Sequence, residues 1–189
     1  MRYCLITLIL VTALVACKQS SARKGANGVI YKNATEYNDY IITRQVKLMH
    51  TIAAFTRVLQ VNADSAIGLI RDASKDAGRV ITEVRGMPSY GGDSSFRAAA
   101  VESFTFYKRL FERDYPAMLD IYLRPGIDTE EANAEVNKMG ERLDKDEEML
   151  NKAFHNAQLQ FARKNNLKLI DNPEQKELQN EFEKFNTKE

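Results

Sequence analysis

Over residues 35–61, apolar side chains return at intervals of three and four: Ile41, Leu48, Ile52, Phe55 and Leu59, with Ile42, Val46 and Met49 widening the stripe. That spacing holds them on one face of a 3.6-residue turn and predicts an amphipathic helix. Asn33 followed by Glu36 supplies the side chains of a capping-box-like start. A second stripe, Ala66, Ile67, Ile70, Ala73, Ala77, Val80, Ile81 and Val84, is shifted in phase by about one residue. Asn62, Ala63, Asp64 and Ser65 lie at the shift and offer cap residues, which predicts a tight turn and a reversal. One long helix with a stutter is the alternative.

Glycine and proline interrupt the pattern most clearly over residues 86–93, so that segment is a loop. Asp93 or Ser94 then caps a third helix carrying Phe96, Ala99, Ala100, Phe104, Tyr107, Leu110 and Phe111. Pro116 kinks it or starts a new turn before Met118 and Ile121. Leu123, Arg124, Pro125 and Gly126 end it. Asp128 or Thr129 caps the fourth and longest helix, whose apolar positions are Val136, Met139, Leu143, Leu150, Phe154, Ala157 and Phe161. It runs to about Asn165 and overhangs its partners. No stretch alternates strictly, and four helices with short connections pack most simply as an up-down-up-down four-helix bundle. The expected fold is all-α, with the bundle over residues 33–170.

The ends differ from this middle. Residues 171–189 are mostly Glu, Lys, Asn and Gln, with Leu178, Phe182 and Phe185 to bury, a charged tail that is short and helical, frayed or docked. At the other end, Tyr3 to Ala16 carry no charge and follow Arg2. Roughly 14 apolar residues are too few to span about 30 Å of hydrocarbon, so residues 1–16 suit a removable signal better than a permanent anchor. Leu14, Val15, Ala16 and Cys17 close the run. That string resembles the lipobox read by the bacterial lipoprotein signal peptidase. The resemblance implies cleavage after Ala16, diacylglycerol on the Cys17 thiol, and a further acyl chain such as palmitate on the new amino terminus. Several chains make a stable membrane anchor where one would be marginal.

Residues 17–32 then form the lipidated cysteine and its tether. Lys18 to Gly28 are small, polar and mildly basic, with nothing to bury, and are expected to be flexible. Acidic residues just after the cysteine resemble a surface-export address in some bacteria; Lys18, Gln19 and Ser20 do not supply it. Lys18 is also not the aspartate that retains lipoproteins in the inner membrane of enteric bacteria. The cell envelope is the expected location, with the outer membrane's periplasmic leaflet favoured and surface display the alternative.

Loss of the leader changes the inventory. Cys4 leaves with it and Cys17 is taken by lipid, so the mature domain has no free thiol for a disulfide, a nucleophile or a cysteine zinc site. Without Arg2 there are 26 basic and 26 acidic side chains, a balance that argues against nucleic acid and against a polybasic patch for anionic lipid.

Candidate chemistry is sparse. A ferritin-like di-iron site needs Glu three residues before His, and Lys47 and Lys152 precede His50 and His155. Both histidines sit beside the apolar stripes and are expected in solvent. No Gly-x-Ser-x-Gly elbow exists, and loop 86–93 lacks the Gly-Lys-Ser ending of a phosphate-binding loop. Asn38 and Gln45 occupy stripe positions where apolar side chains belong. They are expected to be hydrogen-bonded core residues; the functional alternative is a small polar cleft lined by Tyr37, Asn38 and Gln45, with Asp146 or Glu147 facing it. The aromatic run Phe104, Phe106, Tyr107 and Phe111 covers more than one helix face and is expected in the core.

Tyr37-Asn38-Asp39-Tyr40-Ile41-Ile42 with Gln45, then Gly92-Asp93 before Phe96-Arg97, Phe106-Tyr107-Lys108, and a closing Ala157-Gln158, Phe161-Ala162, Lys164-Asn165-Asn166 string resemble a family of bacterial surface lipoproteins of unknown function. The likeness covers about residues 35–165 and implies a lipid-anchored helical bundle without catalytic residues. Pro116 departs from it. The expected function is therefore a membrane-anchored, non-enzymatic module that binds another protein or an envelope component, without metal, cofactor or nucleic acid. Loop 86–93 and the far helix ends are its expected contact surface. The alternative is a bundle that binds a small molecule or cofactor in a pocket between helices.

Overall fold

The computed structural model describes residues 23–59 and 63–170 and positions 173, 174, 177, 178 and 180. The leader, Cys17 and the first tether residues lie outside the described residues, as does Asn62 of the expected turn. The described chain is helical apart from one small ribbon. β1 (Arg23–Lys24) and β2 (Ile30–Tyr31) precede α1 (Ala34–Leu59), α2 (Ala63–Arg85), α3 (Ser95–Arg109), a π-helical turn (Leu110–Asp114), α4 (Tyr115–Tyr122) and α5 (Thr129–Lys164).

Most described residues of the predicted stripes lie on the buried faces; Ile67, 45% exposed, does not. Ile41, Leu48, Val80, Val84, Phe96, Phe104, Tyr107, Leu143, Phe154 and Phe161 share one continuous apolar cluster. Full burial of side chains this size is worth about 1.5–3 kcal/mol each, which is what holds these amphipathic faces together. Phe55, Ile70, Ala73 and Phe111 form a second cluster, in which the Tyr115 ring stacks 4.8 Å from that of Phe55. Arg44 Nε meets Glu83 Oε2 at 2.9 Å, and Lys47 lies 3.7 Å from Asp76. Advancing along α1 thus means retreating along α2, so the two helices run antiparallel. The single stuttered helix does not form.

Caps follow the sequence closely. Asn33 Oδ1 accepts the Glu36 N–H at 2.9 Å while Glu36 accepts from the Lys32 N–H at 2.8 Å. Asp128 Oδ1 accepts from the Glu131 N–H at 2.9 Å. Ahead of α3, Asp93 rather than Ser94 supplies the capping oxygen, taking the Ser95 N–H at 2.8 Å. Pro116 produces a π turn in place of a simple kink. A proline at that position has no N–H for the Glu112 carbonyl and its ring would strike it. One extra residue in the preceding turn lets the Tyr115 N–H reach Leu110 O instead.

The expected flexible tether is corrected from Arg23 onward. Arg23 pairs with Tyr31 and Lys24 with Ile30 in an antiparallel ribbon, and Tyr31 is 1% exposed. Asn27 fastens the turn: its N–H donates to Gly86 O at 3.1 Å, and its Nδ2 donates to Tyr31 Oη at 2.7 Å and Glu83 O at 2.9 Å. Gly28, at φ +81, takes the left-handed position beside it. The signal was present as Asn-Gly ahead of Val29, Ile30 and Tyr31, a hairpin pattern that small polar composition masks. The Tyr31 ring packs against Tyr37 and Tyr40 at 5.3 Å each, extending the aromatic core to Tyr90 and Phe161.

The C-terminal tail is docked where it is described. Leu178 is buried with Val46 and Ala53 of α1, beside Ile42 and Met49. That contact explains why the α1 stripe is wider than one partner helix requires.

Candidate functional site

The four residues expected to line one polar cleft are separated. Tyr37 Oη donates to Pro88 O at 3.0 Å, and burial is the main cause raising its phenol to about 12. Asn38, 7% exposed, accepts from Gln158 Nε2 at 2.9 Å and donates to Asp39 at 3.0 Å. Gln45, equally buried, has a carbonyl oxygen with no donor among the described residues. Asp146 stands twelve positions before Gln158 on α5, about 18 Å away at 1.5 Å per residue. It accepts instead from Arg109 Nη2 at 3.1 Å. Tyr37 and Asn38 thus share one end of the helices with Gln158 and Phe161, and Asp146 belongs to a different cluster.

That other cluster is the denser polar site, and sequence reasoning did not assemble it. It forms where the π turn meets α5. Asp114, 3% exposed, accepts from Arg109 Nε at 3.2 Å and Arg113 Nε at 3.3 Å. Arg109 reaches on to Asp146, with its guanidinium carbon 5.0 Å from the centre of the Phe106 ring. One turn away, Tyr107 Oη donates to Glu147 Oε1 at 3.0 Å and lies 3.5 Å from Asn151 Oδ1. Burial pushes the Glu147 carboxyl up, Asp144 adds to the rise, and the hydrogen bonds from Tyr107 and Asn151 oppose it. Burial also raises the phenols of Tyr107 and Tyr115, with Glu147 reinforcing both shifts.

The chemical consequence follows from these directions. The phenols keep their protons, and the Glu147 carboxylate side chain accepts from one of them, Tyr107. Through Tyr107 to Glu147 and Arg109 to Asp146 the cluster joins the α3–α4 segment to α5. The usable sequence signals were Asp146 and Glu147 breaking the α5 stripe and Asp114 falling on the buried side of its own segment.

The remaining candidates resolve individually. His50 Nε2 lies 2.6 Å from Glu174 of the tail and is half exposed; His155 is exposed. Among the described residues no group of three or more His, Cys, Asp or Glu is placed to hold a metal ion, and no helix is long and apolar enough to cross a membrane. Loop 86–93, expected as a contact surface, spends its carbonyls internally: Gly86 on Asn27, Met87 on Arg97, Pro88 on Tyr37 and Ser89 on Arg23.

At the opposite end of the molecule, α4 and the turn after it are clasped to α5 by Tyr122 Oη to Asn133 at 3.0 Å and by Nη1 and Nη2 of Arg124 to Glu135 at 2.9–3.0 Å. Beside this clasp a shallow groove of about 310 Å³ is lined by Ile121, Glu135, Lys138, Met139 and Arg142. Tyr122 and Leu123 are 48% and 69% exposed at its edge. Comparison with protein-family models, with curated proteins and with solved structures gives no match to this chain.

Proposed function

We propose that this protein is a lipid-anchored, non-catalytic interaction module of the bacterial cell envelope, acylated at Cys17 and presenting its α4–α5 end to another protein. The observation that carries this reading is the polarity of the molecule. The ribbon beginning at Arg23, six residues after Cys17, is sewn to the end where α2 stops and α3 starts. The exposed Tyr122 and Leu123 and the groove stand at the other end. α5 connects the two ends over 36 residues, about 54 Å.

The helices are read here as an up-down-up-down bundle in which α3, the π turn and α4 act as the third member. Arg44 with Glu83, Tyr107 with Glu147 and Asn38 with Gln158 are cross-helix pairs compatible with that order. An anchor at one end and an apolar, mixed-charge rim at the other suits a surface offered to proteins in the envelope.

Two measurements test the reading. Intact mass and detergent partition of the protein from a bacterial host should show acyl mass that Cys17→Ser abolishes. A photocrosslinker at Leu123, compared in living cells with one at Lys145, should give one adduct of defined mass only at 123. Unacylated protein, or identical adducts at both positions, overturns it.

A further inference from the structure

Near-neutral net charge conceals a gathering of basic side chains at the ribbon end. Tyr31 and its cross-strand partner Arg23 share the inner face of the ribbon, and Tyr31 is buried. Side chains alternate along a strand, so Lys24 and Ile30 occupy the outer face, where Ile30 is 53% exposed. Lys168 and Ile170, the latter 85% exposed, leave α5 at the same end, where Lys164 meets Asp93. Of the acids nearby, Glu83 is paired with Arg44 and Asp93 with Lys164, while Glu36 accepts from the Lys32 N–H and the exposed Asp39 from the Asn38 amide. Arg85, Arg163 and Lys168 are exposed with no ion-pair partner among the described residues. At the other end the N-cap and first turn of α5 carry Asp128, Glu130 and Glu131, with Arg124, Lys138 and Arg142 at the same end.

We infer that this end is a second membrane contact, in which the outer face of the ribbon rests on anionic lipid headgroups with Ile30 and Ile170 seated among them. The inference rests on the lipid anchor proposed above and deepens it. About six peptide steps separate Cys17 from Arg23, at most about 3.6 Å each, so the ribbon stays within about 22 Å of the acylated residue however those residues are arranged. An exposed Ile30 opposite Lys24 and an exposed Ile170 two residues after Lys168 match the chemistry of the headgroup boundary, and basic side chains gain about fivefold each in partition when they lie within a Debye length of an anionic surface. A protein partner is less suited to this face, because the anchor already holds it against lipid.

The chain contains no tryptophan, so a single introduced one reports on its own surroundings. Full-length mature protein carrying Ile30→Trp is mixed with vesicles of phosphatidylcholine alone or with phosphatidylglycerol added; Met149→Trp, on exposed α5, is the control. Emission at position 30 should shift to the blue and be quenched by brominated lipid only on the phosphatidylglycerol vesicles, and high salt should reverse both changes. Adding Lys24→Gln and Lys168→Gln should weaken docking by about 25-fold. Water-like emission at position 30, or the same shift on neutral vesicles, overturns the proposal. Intact mass of the same sample reports separately on the anchor. Protein without acyl mass that still shows the salt-sensitive shift sinks the anchor and keeps the face, whereas acylated protein without the shift does the reverse.

Discussion

Gln45 holds a carbonyl oxygen in the core with no donor among the described residues, a burden of about 1–3 kcal/mol. Gln45→Leu should therefore raise stability by about 1 kcal/mol, measured as a higher urea midpoint at unchanged slope. Glu147 makes a pH-dependent case. Its folded pKa lies above the unfolded value, chiefly through burial, so its contribution is fully present below the ordinary carboxylate pKa and is lost as pH rises through the folded one. Glu147→Gln keeps an acceptor for Tyr107 and removes the buried charge. Thermal unfolding should show it more stable than the parent at neutral pH, with the difference vanishing at acid pH. The sequence marked Asn38 and Gln45 as polar intrusions on an apolar stripe, and both are buried. It could not say that Gln158 answers one and nothing described answers the other, because that depends on a helix 120 residues away.

Among the elements, the helical segments were legible because each buries one face at a fixed period, and their caps lie within four residues of what they cap. The ribbon and the π turn were not. Their cause is local, in Asn27-Gly28 and Pro116, but their form depends on what they pack against. Gly86 shows the tightness of the ribbon's seat: a Cβ there would lie 2.8 Å from Asn27 N and 2.9 Å from Asn27 Cβ. Gly86→Ala should force the turn outward at a cost of about 1–3 kcal/mol. Limited trypsin digestion checks this, since cleavage after Arg23, Lys24 and Lys32 should quicken before the helices themselves are cut. In the same way Asp114→Asn should cost about 1–2 kcal/mol by loosening Arg109 and Arg113 from the π turn, as read by chemical denaturation.

The whole molecule joins these pieces through contacts that no window of sequence reveals. The Arg109, Asp114 and Asp146 group draws on two separate segments, and composition gave only an average charge where the structure gathers Lys24, Arg85, Arg163 and Lys168 towards one end. The tail belongs to this scale too. Leu178 is 3% exposed against Val46 and Ala53, so Leu178→Ala should lower stability by about 2 kcal/mol or more, measured by thermal or urea unfolding of the full chain.

α5 lends Phe154 and Phe161 to an aromatic core whose other members include Tyr31, Tyr37 and Phe96, and its Gln158 supplies the acceptor of Asn38 with a donor. During synthesis, the aromatic positions that Phe154 and Phe161 cover therefore emerge before their partners do. The α5 contacts close long loops of the chain, Asn38 to Gln158 spanning 120 residues, so they carry a large closure entropy. A chain that stalls or is cut before those contacts close is the form most exposed to aggregation and proteolysis.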